Sequence, residues 1–213
     1  MSIGESTGGQ GAGAMPPVRN RKKRELILKT AFDLFMERGA GMAMEELAAA
    51  ASVSKQTIYN HFGSKEGLMA AMTAARVAEL TEPLIAAQPG DSPSDVLEHF
   101  ARLYVARALH PRSIGVMKSL LSEPRALTGF PAEFYAMGPA RTLQALVEWI
   151  SAETRRKRLA VPEPALAAEQ FLGSLIGSRQ LRQFFVGGEG PDEAETARMA
   201  ATAVQTFMRA WGV

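Results

Sequence analysis

From Arg21 onward the apolar residues recur at helical spacing. Ile27, Ala31, Leu34 and Phe35 stand at i, i+4, i+7 and i+8 and share one stripe of a helix that Gly39 is placed to end. Two short helices are predicted at 44–51 and 55–61, separated by Ser52-Val53-Ser54, and a longer one opens after Gly63-Ser64 and runs to Ala87. Ser54 and Ser64 are natural N-caps, because a hydroxyl oxygen can accept from an orphan amide of the first helical turn. The same grammar repeats downstream, with a proline near each start and an apolar stripe behind it. Pro93 precedes Val96, Phe100, Leu103 and Tyr104, and Pro139 precedes Leu143, Leu146, Val147 and Ile150. Pro164 precedes Ala167, Phe171, Leu175 and Ile176, and Pro191 precedes Ala200, Ala203, Val204, Phe207, Met208 and Trp211. No segment alternates with period two over a strand's length, so the expected fold class is all-α.

Residues 1–18 depart from this pattern. They are rich in Gly, Ser and Ala and hold too few large apolar groups to offset the entropy of ordering, which predicts a flexible tail. Within it, Gly9-Gln10-Gly11-Ala12-Gly13-Ala14 fits a relaxed dinucleotide fingerprint, but no strand precedes it and Pro16-Pro17 follows. Charge divides the remainder. Residues 19–65 carry nine Lys or Arg against five Asp or Glu, while 66–213 carry fifteen against sixteen. A polyanionic partner is therefore expected to meet the first of these segments. The chain has no cysteine, which excludes disulfides, thiolate metal sites and thiol redox chemistry. Neither a membrane span nor a secretory signal is visible, so a cytoplasmic protein is expected.

The spacing within residues 42–66 carries the functional reading. Ala48, Ser52 and Ile58 supply what a helix-turn-helix needs: a small residue where the helices cross, a tight turn four residues later, and an apolar anchor on the second helix. With Leu47, Val53 and Ile58 facing the core, Lys55, Gln56, Thr57, Asn60 and His61 point outward. Cation, amide, hydroxyl and imidazole groups are those that reach phosphates and major-groove base edges. Tyr59 can lie along the sugar-phosphate backbone, and Lys65 adds a positive charge beside a helix N-terminus. Arg19, Arg21, Lys22, Lys23 and Arg24 form a basic run before the first helix, suited to non-specific backbone contact. Such an outward set also suits a plain solvated face; the spacing favours DNA.

Over about residues 22–68 the chain resembles the TetR family of bacterial regulators. The resemblance rests on Ile27-Leu28, Ala31, Leu34-Phe35 and Gly39, on Leu47-Ala48 and Val53-Ser54, and on Thr57-Ile58-Tyr59-Asn60-His61-Phe62 followed by Ser64-Lys65-Glu66. It implies DNA contact through Ser54, Lys55, Gln56, Thr57, Tyr59 and His61, with Lys65 on a phosphate. Met42 stands where the family usually has a Thr that caps the second helix, and Ser52 replaces the usual turn glycine. Residues 112–211 resemble the C-terminal domain of repressors in this family through Glu123-Pro124, Phe134-Tyr135, Gly138-Pro139-Ala140-Arg141 and Ala168-Glu169-Gln170-Phe171-Leu172-Gly173. That implies an inducer pocket among the middle helices and a homodimer interface built largely from the last two long helices.

The expected organisation is thus a tail at 1–18, a helix-turn-helix DNA-binding domain at 19–65, and a helical effector-binding and dimerisation domain at 66–213. Gly173 and Gly177, four apart, would let a partner helix approach closely, and Val204 and Met208 are taken with them; intramolecular packing is the other reading. Phe100, Tyr104, Met117, Leu121, Phe134 and Trp149 are candidates for an apolar ligand pocket, although such stripes are also ordinary core. His99 and His110 have no second ligand at metal spacing, so neither metal nor other cofactor is expected. Arg155-Arg156-Lys157-Arg158 reads as a solvated helix end. No catalytic set is visible. The function expected is a ligand-responsive regulator on a palindromic double-stranded DNA operator; the alternative is a DNA-binding protein without an effector, which a filled C-terminal core would favour.

Overall fold

A computed structural model describes residues 18–122 and 130–213, and within these the side chains of all but 18, 19, 40, 119–122, 130 and 131. The expected tail up to residue 17, the Leu121 and Arg19 side chains and Glu123-Pro124 lie outside the described residues.

Among the described residues the helices are α1 (Val18–Arg38), α2 (Met44–Ala50), α3 (Lys55–Phe62), α4 (Lys65–Ala86), α5 (Pro93–Ala108), α6 (Pro111–Ser122), α7 (Phe130–Met137), α8 (Pro139–Arg155), α9 (Pro164–Val186) and α10 (Glu193–Trp211), with a 3-10 turn at Gly39–Gly41. Among the described residues the sole β feature is an isolated bridge between Leu159 and Gly212. The all-α reading holds. Two differences from the predicted pattern stand out. α6 and α7, twelve and eight residues long, were not among the helices it set out. α1 opens at Val18, so the basic run lies inside its first turns rather than ahead of it.

Apolar burial is organised in two clusters. The first joins Ile27, Ala31 and Phe35 of α1 to Leu47 and Ala48 of α2, Ile58 of α3, and Leu68, Met69 and Met72 of α4. The second gathers Leu80 and Leu84 of α4 with Leu97, Phe100, Trp149, Phe171, Val204 and Phe207 from α5, α8, α9 and α10. α4 therefore serves both cores, its first two turns packing with the N-terminal helices. At roughly 1.5–3 kcal/mol for each large apolar side chain fully buried, each cluster offsets much of the entropy lost by its own helices.

The basic run at the end of α8 is only partly the solvated face that the sequence suggests. Glu153 is fully buried, and its carboxylate pairs with Arg156 at 2.7 Å and with Arg158 at 2.5 Å. Arg158 also donates to the carbonyl oxygens of Pro89 (2.8 Å) and Asp91 (2.6 Å), tying the α8 end to the α4–α5 loop. A buried carboxylate needs such partners, which spacing along the chain does not reveal.

Candidate nucleic-acid interface and ligand cavity

The turn between α2 and α3 is closed by the backbone amide of Val53, which donates to the carbonyl oxygen of Ala48 at 2.9 Å. Ser52 occupies the left-handed region at φ +52°, where a side chain is strained and glycine would not be. Ser54 then caps α3: its hydroxyl oxygen accepts from the amide of Thr57 at 3.1 Å and lies 2.9 Å from the Thr57 hydroxyl. Ser64 caps α4 in the same way, accepting from Gly67 at 3.0 Å. With Leu47 and Ile58 completely buried, α3 is pinned against α2 on one side and is open on the other.

On that open side Ser54, Lys55, Gln56, Tyr59 and Asn60 are exposed, while Thr57 and His61 are half-buried. The Gln56 amide donates to Asn60 at 2.8 Å. Lys55 is engaged by Glu45 of α2, Nζ to Oε1 at 2.6 Å, and this bond lowers the Glu45 pKa and raises that of Lys55. Lys65 donates to the carbonyl oxygen of Met42 at 2.7 Å, so the ammonium stands at the base of α2. Met42 itself is buried, and Ala43 holds the α2 N-cap position without a side-chain bond. Arg21 and Lys22 are exposed on α1; Arg21 pairs with Glu25 at 3.6 Å, and Arg24 lies over the Phe62 ring. Glu45 was not singled out in the sequence; an acid ten residues before an outward lysine on the neighbouring helix was the available signal.

A cavity of about 460 Å³ lies where the two clusters meet. Tyr104, Met117 and Phe134 line it. Phe100 and Trp149 do not: both belong to the C-terminal core, Phe100 fully buried and stacked beside Tyr104 with ring centroids 5.9 Å apart. The sequence reading missed that α1 contributes Phe32, Phe35 and Met36, and that Thr73 and Arg76 of α4 and Arg107 of α5 supply polar wall. A cation on the otherwise apolar Met72, Thr73, Arg76, Val77, Leu80 face of α4 was a readable clue. Arg76 stacks over the Phe32 ring at 3.9 Å and pairs with Glu79 at 2.7 Å; Arg107 donates to the Arg76 carbonyl oxygen at 2.6 Å. Burial raises the Tyr104 pKa and lowers that of Arg107, in each case by penalising the charged form.

Gly173 and Gly177 are exposed on α9, with open space where a Cβ would stand, and Gly177 breaks the helix at φ +48°. Leu166, Leu181 and Phe185 are also exposed on α9, Phe185 at 76% exposure. Val204 is instead packed in the chain's own core, and Met208 lies against it, because the α10 stripe faces α5. His99 is exposed, and His110 accepts from the amide of Arg112 at 3.1 Å. No helix among the described residues is long and apolar enough to cross a membrane.

A capped second helix held open beside a small-residue crossing, on a three-helix core joined to a larger helical bundle, defines a helix-turn-helix DNA-binding regulator. The model for bacterial regulatory proteins of the tetR family matches residues 27–72, and that for the C-terminal domain of AefR-like transcriptional repressors matches residues 95–213. The chain belongs to the TetR family of DNA-binding transcriptional regulators, which are not enzymes.

A curated relative, the HTH-type transcriptional repressor Rv3405c of Mycobacterium tuberculosis, is 33% identical over 94 residues, 44% of this chain. The match spans only half the length of that relative. Among solved structures, a TetR-family transcriptional regulator of Mesorhizobium loti shares the fold with a TM-score of 0.71 at 24% identity, covering 92% of this chain and all of that one. The flavonoid-responsive regulator FrrA aligns with a TM-score of 0.62 at 26% identity, over 90% of this chain and 98% of its own.

Proposed function

We infer that the chain acts as a homodimeric repressor on a palindromic operator and is released by a small apolar or amphipathic molecule bound in the cavity. The observation that carries this reading is the position of the cavity: Phe32, Phe35 and Met36 of α1, which packs against α2 in the N-terminal core, share its wall with α4 to α9. A molecule that fits one arrangement of these helices better than another shifts the DNA-binding helices by its differential affinity and no more.

In this reading the N-terminal domain, beginning in the 19–65 segment and completed by the first turns of α4, presents α3 to the major groove. Lys55, Gln56, Thr57, Asn60 and His61 reach bases and phosphates. Ser54, Tyr59 and Lys65 fix the backbone, and Arg21 and Lys22 add non-specific attraction. The exposed α9 face around Gly173 and Gly177 meets its counterpart and sets the two recognition helices roughly 34–36 Å apart. The flavonoid-responsive relative supports a small-molecule effector, and the cavity counts against a DNA-binding protein without one.

A gel-shift experiment with DNA from the gene's own neighbourhood tests this, run beside a Lys55→Ala, Tyr59→Ala double variant. We expect a salt-sensitive shift of a palindromic fragment that the double variant loses. Binding no tighter than to random DNA would overturn the operator reading.

A further inference from the structure

Two guanidinium groups face the cavity, Arg76 from α4 and Arg107 from α5, and no acidic side chain is among the described residues that line it. One carboxylate, Glu79, serves both, at 2.7 Å from Arg76 and 3.6 Å from Arg107, and it is itself more than half exposed. An excess positive charge therefore stands at the edge of a chamber otherwise walled by Phe32, Phe35, Phe134, Met72 and Leu80. The cost of that arrangement is visible in Arg107, whose charged form is disfavoured by burial. An incoming anion would offset it; a cationic guest would meet two like charges, and a neutral one would leave the imbalance as it is.

We propose that the cavity takes an amphipathic monoanion, its apolar body among the aromatic walls and its anionic group on Arg107 and Arg76. The proposal rests on the reading of this cavity as the effector site and gives that effector a chemical class. It also gives the coupling a route. Arg76 stacks on Phe32 of α1 and is held by Glu79 on its own helix, so an anion competing with Glu79 draws on the same guanidinium that contacts α1. The cavity's volume, about 460 Å³, lies within the roughly 300–1,000 Å³ of small-molecule sites.

Two fluorescent probes with one body separate charge from apolar fit: N-phenyl-1-naphthylamine is neutral, and 8-anilino-1-naphthalenesulfonate carries one sulfonate. Both would be titrated into the full chain. The sulfonate is expected to bind about tenfold tighter, the scale of a hydrogen-bonded charge pair. Arg107→Gln should remove most of that preference while moving the neutral probe by less than about twofold. Glu79→Gln, which deletes the competing carboxylate, should strengthen sulfonate binding several-fold. Ala108→Trp, which fills the cavity, should weaken both probes and so locate them.

Equal affinity for the two probes, unaltered by Arg107→Gln and Glu79→Gln, would overturn the anion proposal and leave the effector site standing. Failure of both probes to bind, or indifference of both to Ala108→Trp, would overturn the effector-site reading with it. Thermal melts accompany each variant. Should Arg107→Gln unfold the chain, the Glu79→Gln result decides alone, since that residue is half exposed and its loss leaves no buried gap.

Discussion

The recognition helix and the cavity are built from contacts of opposite range. Along the outer face of α3 the side-chain hydrogen bonds are close in sequence: Ser54 with Thr57, Gln56 with Asn60, Lys55 with Glu45, none more than ten positions apart. The cavity draws its wall from Phe32 to Gln180 across seven helices. A surface of the first kind stays assembled as long as α3 keeps its seat on α2 and on the first turns of α4. A chamber of the second kind exists only when the whole bundle has packed, so its shape responds to any helix that moves. That difference suits the two tasks proposed above, since a reading head must keep its form while a sensor must be deformable by what it binds.

The strongest test of the comparison lies at two neighbouring rings of α5. Phe100 is fully buried in the C-terminal core, whereas Tyr104, one turn on, faces the cavity. Phe100→Ala should destabilise the chain by about 3–5 kcal/mol, the cost of lost burial plus the void left behind. Tyr104→Ala removes a ring that already borders the cavity, so it opens less new void and should cost less, about 1–3 kcal/mol. Denaturant midpoints give both numbers. Equal losses at the two positions would mean that core and chamber are not distinct.

The same pair shows what the sequence can and cannot express. Periodicity assigns a residue to the inward face of its own helix, and it did so correctly for Ile27, Ala31, Phe35 and for Leu47 and Ile58, all buried. It does not say what the inward face meets. Phe100 and Trp149 therefore looked as suited to a pocket as Tyr104 and Phe134, and Val204 and Met208 looked suited to a dimer interface although both pack on the chain's own core. The way α1 crosses α4 and α4 crosses α5, with α6 to α9 closing around them, decides which inward residues border empty space. The helix-turn-helix was legible because its constraints fall within one stretch of eleven residues from Ala48 to Ile58, where spacing and contact nearly coincide. The ion pair of Glu153 with Arg158 and the pairing of Glu79 with Arg107 join groups that spacing alone does not relate.

Smaller perturbations sharpen the local side of the comparison. Ser54→Ala removes the oxygen that accepts from the Thr57 amide and should cost about 1 kcal/mol, read as a lower denaturant midpoint. It should also weaken operator binding beyond that loss of stability, because the first turn of α3 carries Lys55 and Gln56.

The least effect is expected at Ser52, where two opposing effects partly cancel. Holding a non-glycine residue at φ +52° costs about 1–2 kcal/mol, which Ser52→Gly would relieve. Glycine loses more backbone freedom on folding, about 0.5–1 kcal/mol. Relief of strain outweighs the lost freedom, so Ser52→Gly should raise stability by about half to one kcal/mol, measured by chemical denaturation. The Ser52 side chain is exposed and lies on the turn rather than on α3, so removing it should leave operator affinity unchanged. A drop in affinity at unchanged or higher stability would place the Ser52 hydroxyl on the DNA and extend the reading surface from α3 back into the turn.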